Sequence, residues 1–330
     1  MNSGIVAPVI PTRTAPMPFE PVILFFLLGL LAGLARSDLR IPGVLYESLS
    51  LVLLLAIGLK GGVELSRYAL ADLVLPALAV IASAALIPLT AFAVLRRLGR
   101  LQRADAASIA AHYGSVSVVT FAVAAAYLGS RGESFEGYMS VFLVLLEFPA
   151  LIIGVWLARG SSGQSALGRM LHEVLAGKSI VLLVGGLLIG WLAGSDGIQP
   201  LDRLFFDLFK GMLAIFLLEM GLVAASRLDD LRRSGRFLIG FAILMPLAAG
   251  LLGLATATLI GLSVGGTVLL ATLFASASYI AAPAAMRIAL PEANPALSIG
   301  SALGVTFPFN LLAGIPTYHW LATQTGRLIH

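Results

Sequence analysis

The amino-acid sequence predicts an all-α polytopic membrane protein with about ten transmembrane helices. We expect these helices to form two inverted five-helix repeats, with broken crossing helices at the midplane of the membrane. The first observation behind this prediction is composition: of 330 residues, 59% are hydrophobic and only 12% are charged, whereas soluble chains carry about a quarter charged residues. The second is a series of long apolar segments. The third is a short Ser-x-Ser pattern that occurs once in each half of the chain.

Apolar segments of transmembrane length divide the chain. A bilayer-spanning helix needs about 20 mostly apolar residues. On that criterion the sequence predicts ten segments: 21–36, 43–65, 71–97, 104–128, 137–158, 173–194, 203–226, 236–260, 264–289 and 297–322. The proline-rich residues 1–20 are predicted to be an N-terminal tail without the features of a signal peptide. Residues 21–158 then form the first repeat, 159–172 a cytoplasmic linker and 173–330 the second repeat.

Several strings in the first half have counterparts in the second. Residues 55–59 correspond to residues 218–222, the two Ser-x-Ser strings correspond to each other, and Phe148-Pro149 corresponds to Phe307-Pro308. The separations are 163, 161 and 159 residues, which is a slow drift. Because five spans is an odd number, the second repeat would enter the membrane from the opposite face. Coincidence is the alternative, since such strings are common in a chain rich in leucine, glycine and alanine.

The two Ser-x-Ser strings are the predicted substrate site. The first contains Ser115 and Ser117 directly after Gly114, and the second contains Ser276 and Ser278. Small and hydroxyl-bearing residues inside an apolar segment loosen a helix and leave polar groups that need partners. We predict that the strings are helix breaks that face each other and offer donors to an anion. The alternative is ordinary helix packing, which also favours Ser, Gly and Ala.

Glu147 is the main candidate for a cation ligand. It lies near the middle of the fifth segment, directly before Phe148-Pro149. Pro149 frees a backbone carbonyl about one turn earlier, and a carboxylate beside free carbonyls suits a hard cation such as Na⁺. Glu147 could equally carry a proton or hold a neighbouring hydroxyl. Thr306 occupies the corresponding place in the second half, and the predicted cation site consists of Glu147, Thr120 and Thr306.

The distribution of basic residues predicts the orientation in the inner (cell) membrane. Of 21 lysines and arginines, fourteen lie in loops on one face, which the positive-inside rule makes cytoplasmic. With ten spans, both termini are then outside. The fourteen are Arg36, Arg40, Arg96, Arg97, Arg100, Arg103, Arg159, Arg169, Lys178, Arg227, Arg232, Arg233, Arg236 and Arg287.

Several classes of function are excluded by absent motifs. The chain has no cysteine, so disulfides and thiolate metal sites are excluded. HExxH, Gly-x-Ser-x-Gly and P-loop motifs are all absent, and no basic patch of the nucleic-acid-binding kind occurs. We therefore expect neither an enzyme nor a protein that consumes ATP. No cofactor is predicted apart from Na⁺ as a coupling ion, and an ion gradient is the expected energy source.

Longer strings resemble those of the sodium-dependent bicarbonate transporter family, the SbtA-type permeases. The resemblance covers residues 21–322, and the strings that carry it are 57–62, 147–151, 208–213, 220–222, the second Ser-x-Ser and 291–295. It implies ten spans in two inverted repeats, a core and a gate domain, and a homotrimer in the lipid bilayer. It also implies Na⁺-coupled uptake of bicarbonate, with the substrate held by the serine-bearing crossing helices. The linker is shorter than in cyanobacterial members, so binding of their PII-like regulator is not expected.

The sequence leaves three functions open. The first is a secondary active transporter that moves bicarbonate or a similar small anion with Na⁺. The second is an organic-anion symporter or a cation/proton exchanger on a similar scaffold, because Glu147 and His112 can both change protonation. The third is a membrane sensor that transports nothing, because Tyr279 stands where cyanobacterial members have an acidic residue and could block the site.

Overall fold

Helices account for nearly all of the first half of the chain. The computed structural model describes residues 20–159, 164–233 and 235–329, and within these ranges no strand is present. The first eight helices are α1 (Pro21–Leu34), α2 (Gly43–Leu65), α3 (Leu70–Ala84), α4 (Leu86–Arg97), α5 (Arg103–Gly114), α6 (Val118–Ser130), α7 (Met139–Leu146) and α8 (Pro149–Arg159). The predicted tail 1–20 lies outside the described residues except at its last position.

A helix that the sequence did not predict begins in the predicted linker and ends just beyond it, at Leu175. The remaining helices are α9 (Gln164–Leu175), α10 (Lys178–Ile198), α11 (Phe209–Arg233), α12 (Arg236–Leu259), α13 (Val264–Ala275), α14 (Ala281–Ala289), α15 (Pro295–Ser301), α16 (Phe307–Phe309) and α17 (Ile315–Ile329). In α9, Met170 and Val174 are one turn apart and are buried against apolar residues of α14, among them Ala285 and Met286. The sixth apolar segment therefore starts at Lys178 rather than at residue 173, because the chain before it forms this separate amphipathic helix.

Eight helical stretches are long and apolar enough to cross a membrane, counted over the described residues. They are Gly43–Leu65, Leu70–Arg97, Arg103–Ser130, Met139–Arg159, Lys178–Leu201, Phe209–Arg227, Arg236–Leu259 and Pro295–Gly326. The two other predicted segments correspond to shorter apolar helices, Pro21–Leu34 and Val264–Ala275. Each of the ten predicted segments thus contains at least one apolar helix. Eight reach spanning length as single stretches, so the count of ten spans stays a prediction.

Glycines bring two pairs of helices into backbone contact. A Cβ atom added to Gly62 of α2 would lie 2.0 Å from the carbonyl oxygen of Leu187 in α10, and one added to Gly190 would lie 2.2 Å from that of Leu59. Helices α1 and α11 meet in the same way, because a Cβ on Gly29 would lie 1.9 Å from the carbonyl oxygen of Leu218. Small residues allow such close approach, and in a bilayer this packing replaces the missing hydrophobic driving force.

Replacing Gly62 with alanine is expected to destabilise the protein by about 1–3 kcal/mol, because the new methyl group overpacks a rigid backbone contact. Thermal unfolding in detergent should show a lower Tm for Gly62→Ala. Gly185→Ala is the matched control, since a Cβ at Gly185 of α10 would meet nothing within 4 Å. Equal Tm values for the two variants would contradict the close contact between α2 and α10.

Candidate functional site

The first Ser-x-Ser string interrupts a membrane-spanning segment. Helix α5 ends at Gly114, and α6 begins at Val118. Between them, Ser115 (φ −88°, ψ 164°) and Ser117 (φ −111°, ψ 111°) have extended backbones. The hydroxyl oxygen of Ser117 accepts a hydrogen bond of 3.2 Å from the N–H of Thr120. Ser117 is therefore an N-cap of α6, and serine at this position stabilises the start of a helix.

The second Ser-x-Ser string produces an equivalent break. Helix α13 ends at Ala275, and α14 begins at Ala281. Ser276 has an extended backbone (φ −79°, ψ 166°). The hydroxyl oxygen of Ser278 accepts a 3.1 Å hydrogen bond from the N–H of Ala282. In both breaks, the second serine of the pair thus satisfies a backbone donor in the first turn of the helix that follows.

The two breaks contact each other directly. The N–H of Ser117 donates to the hydroxyl oxygen of Ser276 at 2.9 Å, and the N–H of Ser278 donates to the carbonyl oxygen of His112 at 2.8 Å. All four serines are buried. The prediction that these strings are helix breaks facing each other is therefore confirmed. The helices that leave the breaks, α6 and α14, begin at this contact, and the N-terminus of a helix carries a partial positive charge.

The other two serine hydroxyls also bond within the protein. Ser276 donates its hydroxyl to the carbonyl oxygen of Leu273 at 2.7 Å. Ser115 donates its hydroxyl to Oε2 of Glu147 at 2.9 Å. In this conformation the serine hydroxyls complete the hydrogen bonding of the breaks. Donors for an anion are then expected from backbone N–H groups at the starts of α6 and α14.

Glu147 lies at a third interruption, between α7 and α8. Its side chain is 1% exposed, and within the described residues it forms no ion pair. Together with Ser117 and Ser278 it lines an internal void of about 10 Å³. An ionised carboxylate in such surroundings needs a counter-charge, because burying an unpaired charge is very unfavourable. Glu147 therefore lies next to both breaks.

A large cavity, cavity A, reaches the breaks from the side where α5 begins. Its volume is about 630 Å³, and its lining includes Ser108, His112, Arg227, Ile280, Pro283, Met286, Arg287, Leu290, Ala296 and Ser298. Ile280 lies directly before the start of α14, so cavity A extends along α14 to the second break. Two arginines in its lining make it favourable to an anion.

A smaller cavity, cavity B, lies on the other side of the first break. Its volume is about 230 Å³, and its lining includes Ile57, Lys60, Glu64, Phe121, Ala122, Ala125, Ala126, Gly129, Phe135, Gly137 and Lys210. Cavity B extends along α6 in the same way that cavity A extends along α14. The α6 positions Ala122, Ala125, Ala126 and Gly129 of cavity B each have a counterpart 161 residues later in cavity A, namely Pro283, Met286, Arg287 and Leu290. The same offset relates Phe135 to Ala296 and Gly137 to Ser298.

Apolar side chains separate the two cavities. Between them lies a void of only about 20 Å³, which shares Ile57 and Ala122 with cavity B and Ile280 with cavity A. A void of this size holds about one water molecule. Ile280 also lines the small void beside Glu147. This isoleucine is therefore a central element of the partition, and as an ordinary apolar residue it gave no signal in the sequence.

Comparison with sequence families identifies the protein family. The chain matches the sequence model of the Na⁺-dependent bicarbonate transporter superfamily over residues 21–323. The chain belongs to this superfamily. The resemblance found in the sequence strings is thereby confirmed, and the protein is a multi-pass membrane protein of a transporter family. No individually curated protein matches the chain.

In this superfamily member, Gly114 is packed so closely against two neighbouring helices that a larger side chain would not fit. A Cβ on Gly114 would lie 2.7 Å from the Cβ of Ala150 in α8 and 2.7 Å from Cδ of Pro88 in α4. The end of α5 is thus clamped between two neighbouring helices directly before the break. Its predicted contact with substrate stays a prediction.

The two predicted threonine ligands lie in different surroundings. Thr120 is buried in the first turn of α6, where its N–H donates a hydrogen bond to the Ser117 hydroxyl oxygen. Thr306 is buried in a π-helical turn, Ala302–Thr306. Its hydroxyl donates to the carbonyl oxygen of Ala242 at 2.7 Å and lies 2.7 Å from the Tyr113 hydroxyl. None of the hydrogen bonds found in the described residues joins Thr306 to Glu147. The predicted roles of Thr120 and Thr306 as cation ligands stay predictions.

Asn310 contributes to the transporter's second break, although it was not among the predicted site residues. Its Nδ2 donates to the carbonyl oxygen of Ala275, the last residue of α13, at 2.8 Å. Its Oδ1 accepts a hydrogen bond from the Tyr318 hydroxyl at 3.3 Å. A helix end leaves carbonyl groups unpaired, and this buried amide satisfies one of them. The available signal was a polar amide in the middle of an apolar segment.

Proposed function

We propose that this superfamily member is a secondary active transporter that takes up bicarbonate together with Na⁺ by alternately opening cavity A and cavity B. The observation that carries the proposal is the pair of cavities, which have lining residues at equivalent positions and meet at two contacting helix breaks. Transporters with inverted repeats bind substrate at such breaks and expose the site to one side at a time. In this proposal, movement of the apolar partition between the two cavities opens one of them and closes the other.

Contacts between the halves support the inverted-repeat arrangement. The carboxylate of Asp105, near the start of α5, accepts a hydrogen bond of 2.7 Å from the N–H of Asn294, just before α15. The carboxylate of Glu136, just before α7, accepts one of 2.6 Å from the N–H of Ser263, just before α13. Asp105 and Ser263 are 158 residues apart, as are Glu136 and Asn294. A twofold axis between the halves would therefore map each of these two contacts onto the other. The same axis would map α1 onto α10 and α2 onto α11, so that the packed pair α1–α11 becomes the packed pair α2–α10.

The chemistry of the site supports an anion and a cation as joint substrates. The starts of α6 and α14 supply backbone donors and partial positive charge for an oxyanion. Arg227 and Arg287 line the approach through cavity A. Glu147, beside both breaks, supplies a carboxylate for Na⁺, and binding the cation there neutralises a buried charge. Mutual dependence of the two substrates follows, because each reduces the electrostatic cost of binding the other.

We place cavity A on the cytoplasmic side of the inner membrane and both termini outside. The positive-inside distribution supports this orientation, and two of the fourteen residues on that face, Arg227 and Arg287, line cavity A. Cavity A is also the larger of the two. The conformation described here is therefore the inward-facing one in our proposal.

Single cysteines are expected to react from opposite sides of the membrane. The natural chain has no cysteine. Ala284 lines cavity A and Ala125 lines cavity B, so Ala284→Cys and Ala125→Cys can be labelled without background. A membrane-impermeant maleimide should reach Ala284→Cys from the cytoplasmic side and Ala125→Cys from outside. Ala124→Cys is the control, since Ala124 is 0% exposed. Labelling of both cavity positions from the same side would contradict alternating access through these cavities.

Uptake of labelled bicarbonate into proteoliposomes tests the proposed function. We expect uptake that requires an inward Na⁺ gradient and is abolished when K⁺ replaces Na⁺. Uptake driven by a pH gradient without Na⁺ would indicate proton coupling instead. Na⁺-dependent binding without any turnover would favour a sensor, a role consistent with the Tyr279 ring at the void, where it packs edge-on against Phe307 with ring centroids 5.3 Å apart.

The size of cavity A favours a second candidate substrate class. Its volume of about 630 Å³ is larger than a bicarbonate ion needs, and sites for organic ligands fall in the range of about 300–1,000 Å³. A small organic carboxylate would use the same backbone donors and arginines. Stabilisation of the purified protein by such a carboxylate in the presence of Na⁺, without stabilisation by bicarbonate, would support the organic-anion symporter.

A further inference from the structure

The imidazole ring of His112 is held in one orientation where cavity A meets the breaks. His112 is in the last turn of α5, is 1% exposed and lines cavity A together with Ser108 and Ile280. Its Nδ1 lies 2.7 Å from the carbonyl oxygen of Ser108. A carbonyl oxygen only accepts hydrogen bonds, so Nδ1 carries the hydrogen and donates it. The backbone carbonyl of the same residue accepts the N–H of Ser278 from the second break.

The other ring nitrogen of His112 has no partner. Nε2 is buried and forms no hydrogen bond within the described residues, and no carboxylate in that part of the chain lies within ion-pair distance of the ring. A second proton on the ring would leave an uncompensated charge in a buried place, which is unfavourable. In the neutral ring Nε2 offers a lone pair. Buried polar atoms of this kind are rare, because most find a partner in the protein or in a bound molecule.

We propose that Nε2 of His112 accepts a hydrogen bond from the hydroxyl group of bicarbonate. His112 is then a specificity-determining residue. This inference rests on the proposed function and names the group that recognises the substrate of that site. Bicarbonate and nitrate are both planar oxyanions with a single negative charge, but only bicarbonate carries an O–H that can donate. A neutral acceptor at the site therefore distinguishes the two anions.

The remaining groups at the site do not make this distinction. Backbone N–H groups at the start of α14, Arg227 and Arg287 are donors and positive charges, and they attract nitrate as well as bicarbonate. Nitrate leaves the Nε2 lone pair unpaired and places an oxygen against it. Binding sites built to pair with a hydroxyl reject analogues that lack it, because the protein group then remains unsatisfied.

Competition between bicarbonate and nitrate provides the test. Uptake of labelled bicarbonate into proteoliposomes is inhibited with unlabelled bicarbonate or with nitrate, and the ratio of the two inhibition constants is compared among variants. We expect His112→Phe, which keeps a planar ring without nitrogen, to reduce the preference for bicarbonate by roughly three- to tenfold, the value of one neutral hydrogen bond. His112→Gln, whose amide oxygen can accept near the position of Nε2, should retain more of the preference than His112→Phe.

His319→Phe is the matched control, because it makes the same chemical change in a histidine outside cavity A, where Nδ1 lies 3.2 Å from the Tyr127 hydroxyl. We expect its anion ratio to equal that of the natural protein. If a variant is too slow for uptake measurements, the ratio is taken from the shifts in Tm that the two anions produce.

The outcomes separate this inference from the proposed function. An unchanged ratio in His112→Phe overturns the inference while wild-type uptake still supports the transporter. An equal loss of affinity for both anions also overturns it, since it would mean that a protonated ring binds any anion. If the wild-type protein takes up no bicarbonate, the proposed function fails, and the inference fails with it.

Discussion

Glu147→Gln is expected to abolish Na⁺-driven bicarbonate uptake while leaving the protein folded. Glutamine has nearly the same shape, and its amide oxygen can still accept the hydrogen bond from Ser115, so the change removes little besides the charge. Two unit charges about 4 Å apart interact by about 4 kcal/mol at an effective dielectric constant of about 20. Loss of that interaction corresponds to a decrease in Na⁺ affinity on the order of a thousandfold.

The measurement is the Na⁺ dependence of uptake in proteoliposomes, together with the Tm of each purified variant with and without Na⁺. Glu219→Gln is the control, because Oε2 of Glu219 is also buried and has no hydrogen-bond partner in the described residues. It removes another carboxylate from an apolar segment without touching the breaks. Half-maximal uptake at the same Na⁺ concentration in Glu147→Gln and in the natural protein would remove Glu147 from the proposed cation site.

The approximate positions of the long helices could be predicted from the sequence, because a membrane-spanning helix needs an apolar run of about 20 residues. The segment 43–65 coincides with α2 (Gly43–Leu65), since an apolar run of spanning length lies between Pro42 and the Ser66-Arg67 pair. Helix α9 was missed because its apolar positions are sparse and its composition is that of a soluble helix. Its burial depends on α14, which is more than 100 residues away in the chain.

The breaks could be predicted, but the detailed role of each site residue could not. Ser-x-Ser in an apolar segment predicts a polar interruption from local chemistry alone. Which partner each hydroxyl takes depends on the other half of the chain, as in the bond between Ser117 and Ser276. The partners of Thr306 likewise belong to other helices. Its hydroxyl donates to the carbonyl oxygen of Ala242 and lies beside the Tyr113 hydroxyl, and its role in a cation site stays a prediction.

The double variant Ser115→Ala with Ser276→Ala is expected to lower uptake by roughly ten- to hundredfold. Each hydroxyl makes a buried hydrogen bond worth about 0.5–1.5 kcal/mol, or roughly three- to tenfold. The two serines belong to different bonds, so their effects should approximately add in free energy. Loss of the Ser115 hydroxyl leaves the Glu147 carboxylate without its orienting donor. Loss of the Ser276 hydroxyl leaves the N–H of Ser117 unpaired and removes one of the two hydrogen bonds that join the breaks.

Thr272→Val separates this effect from a general loss of buried hydroxyls. Thr272 is in α13, one turn before Ser276, and its buried hydroxyl has no hydrogen-bond partner in the described residues. Valine has the same shape, so this variant should transport normally and be at least as stable as the natural protein. Initial rates of bicarbonate uptake and the Tm values are measured for all variants. Normal uptake by the double serine variant would show that these two hydroxyls serve packing alone and that their hydrogen bonds contribute nothing to transport.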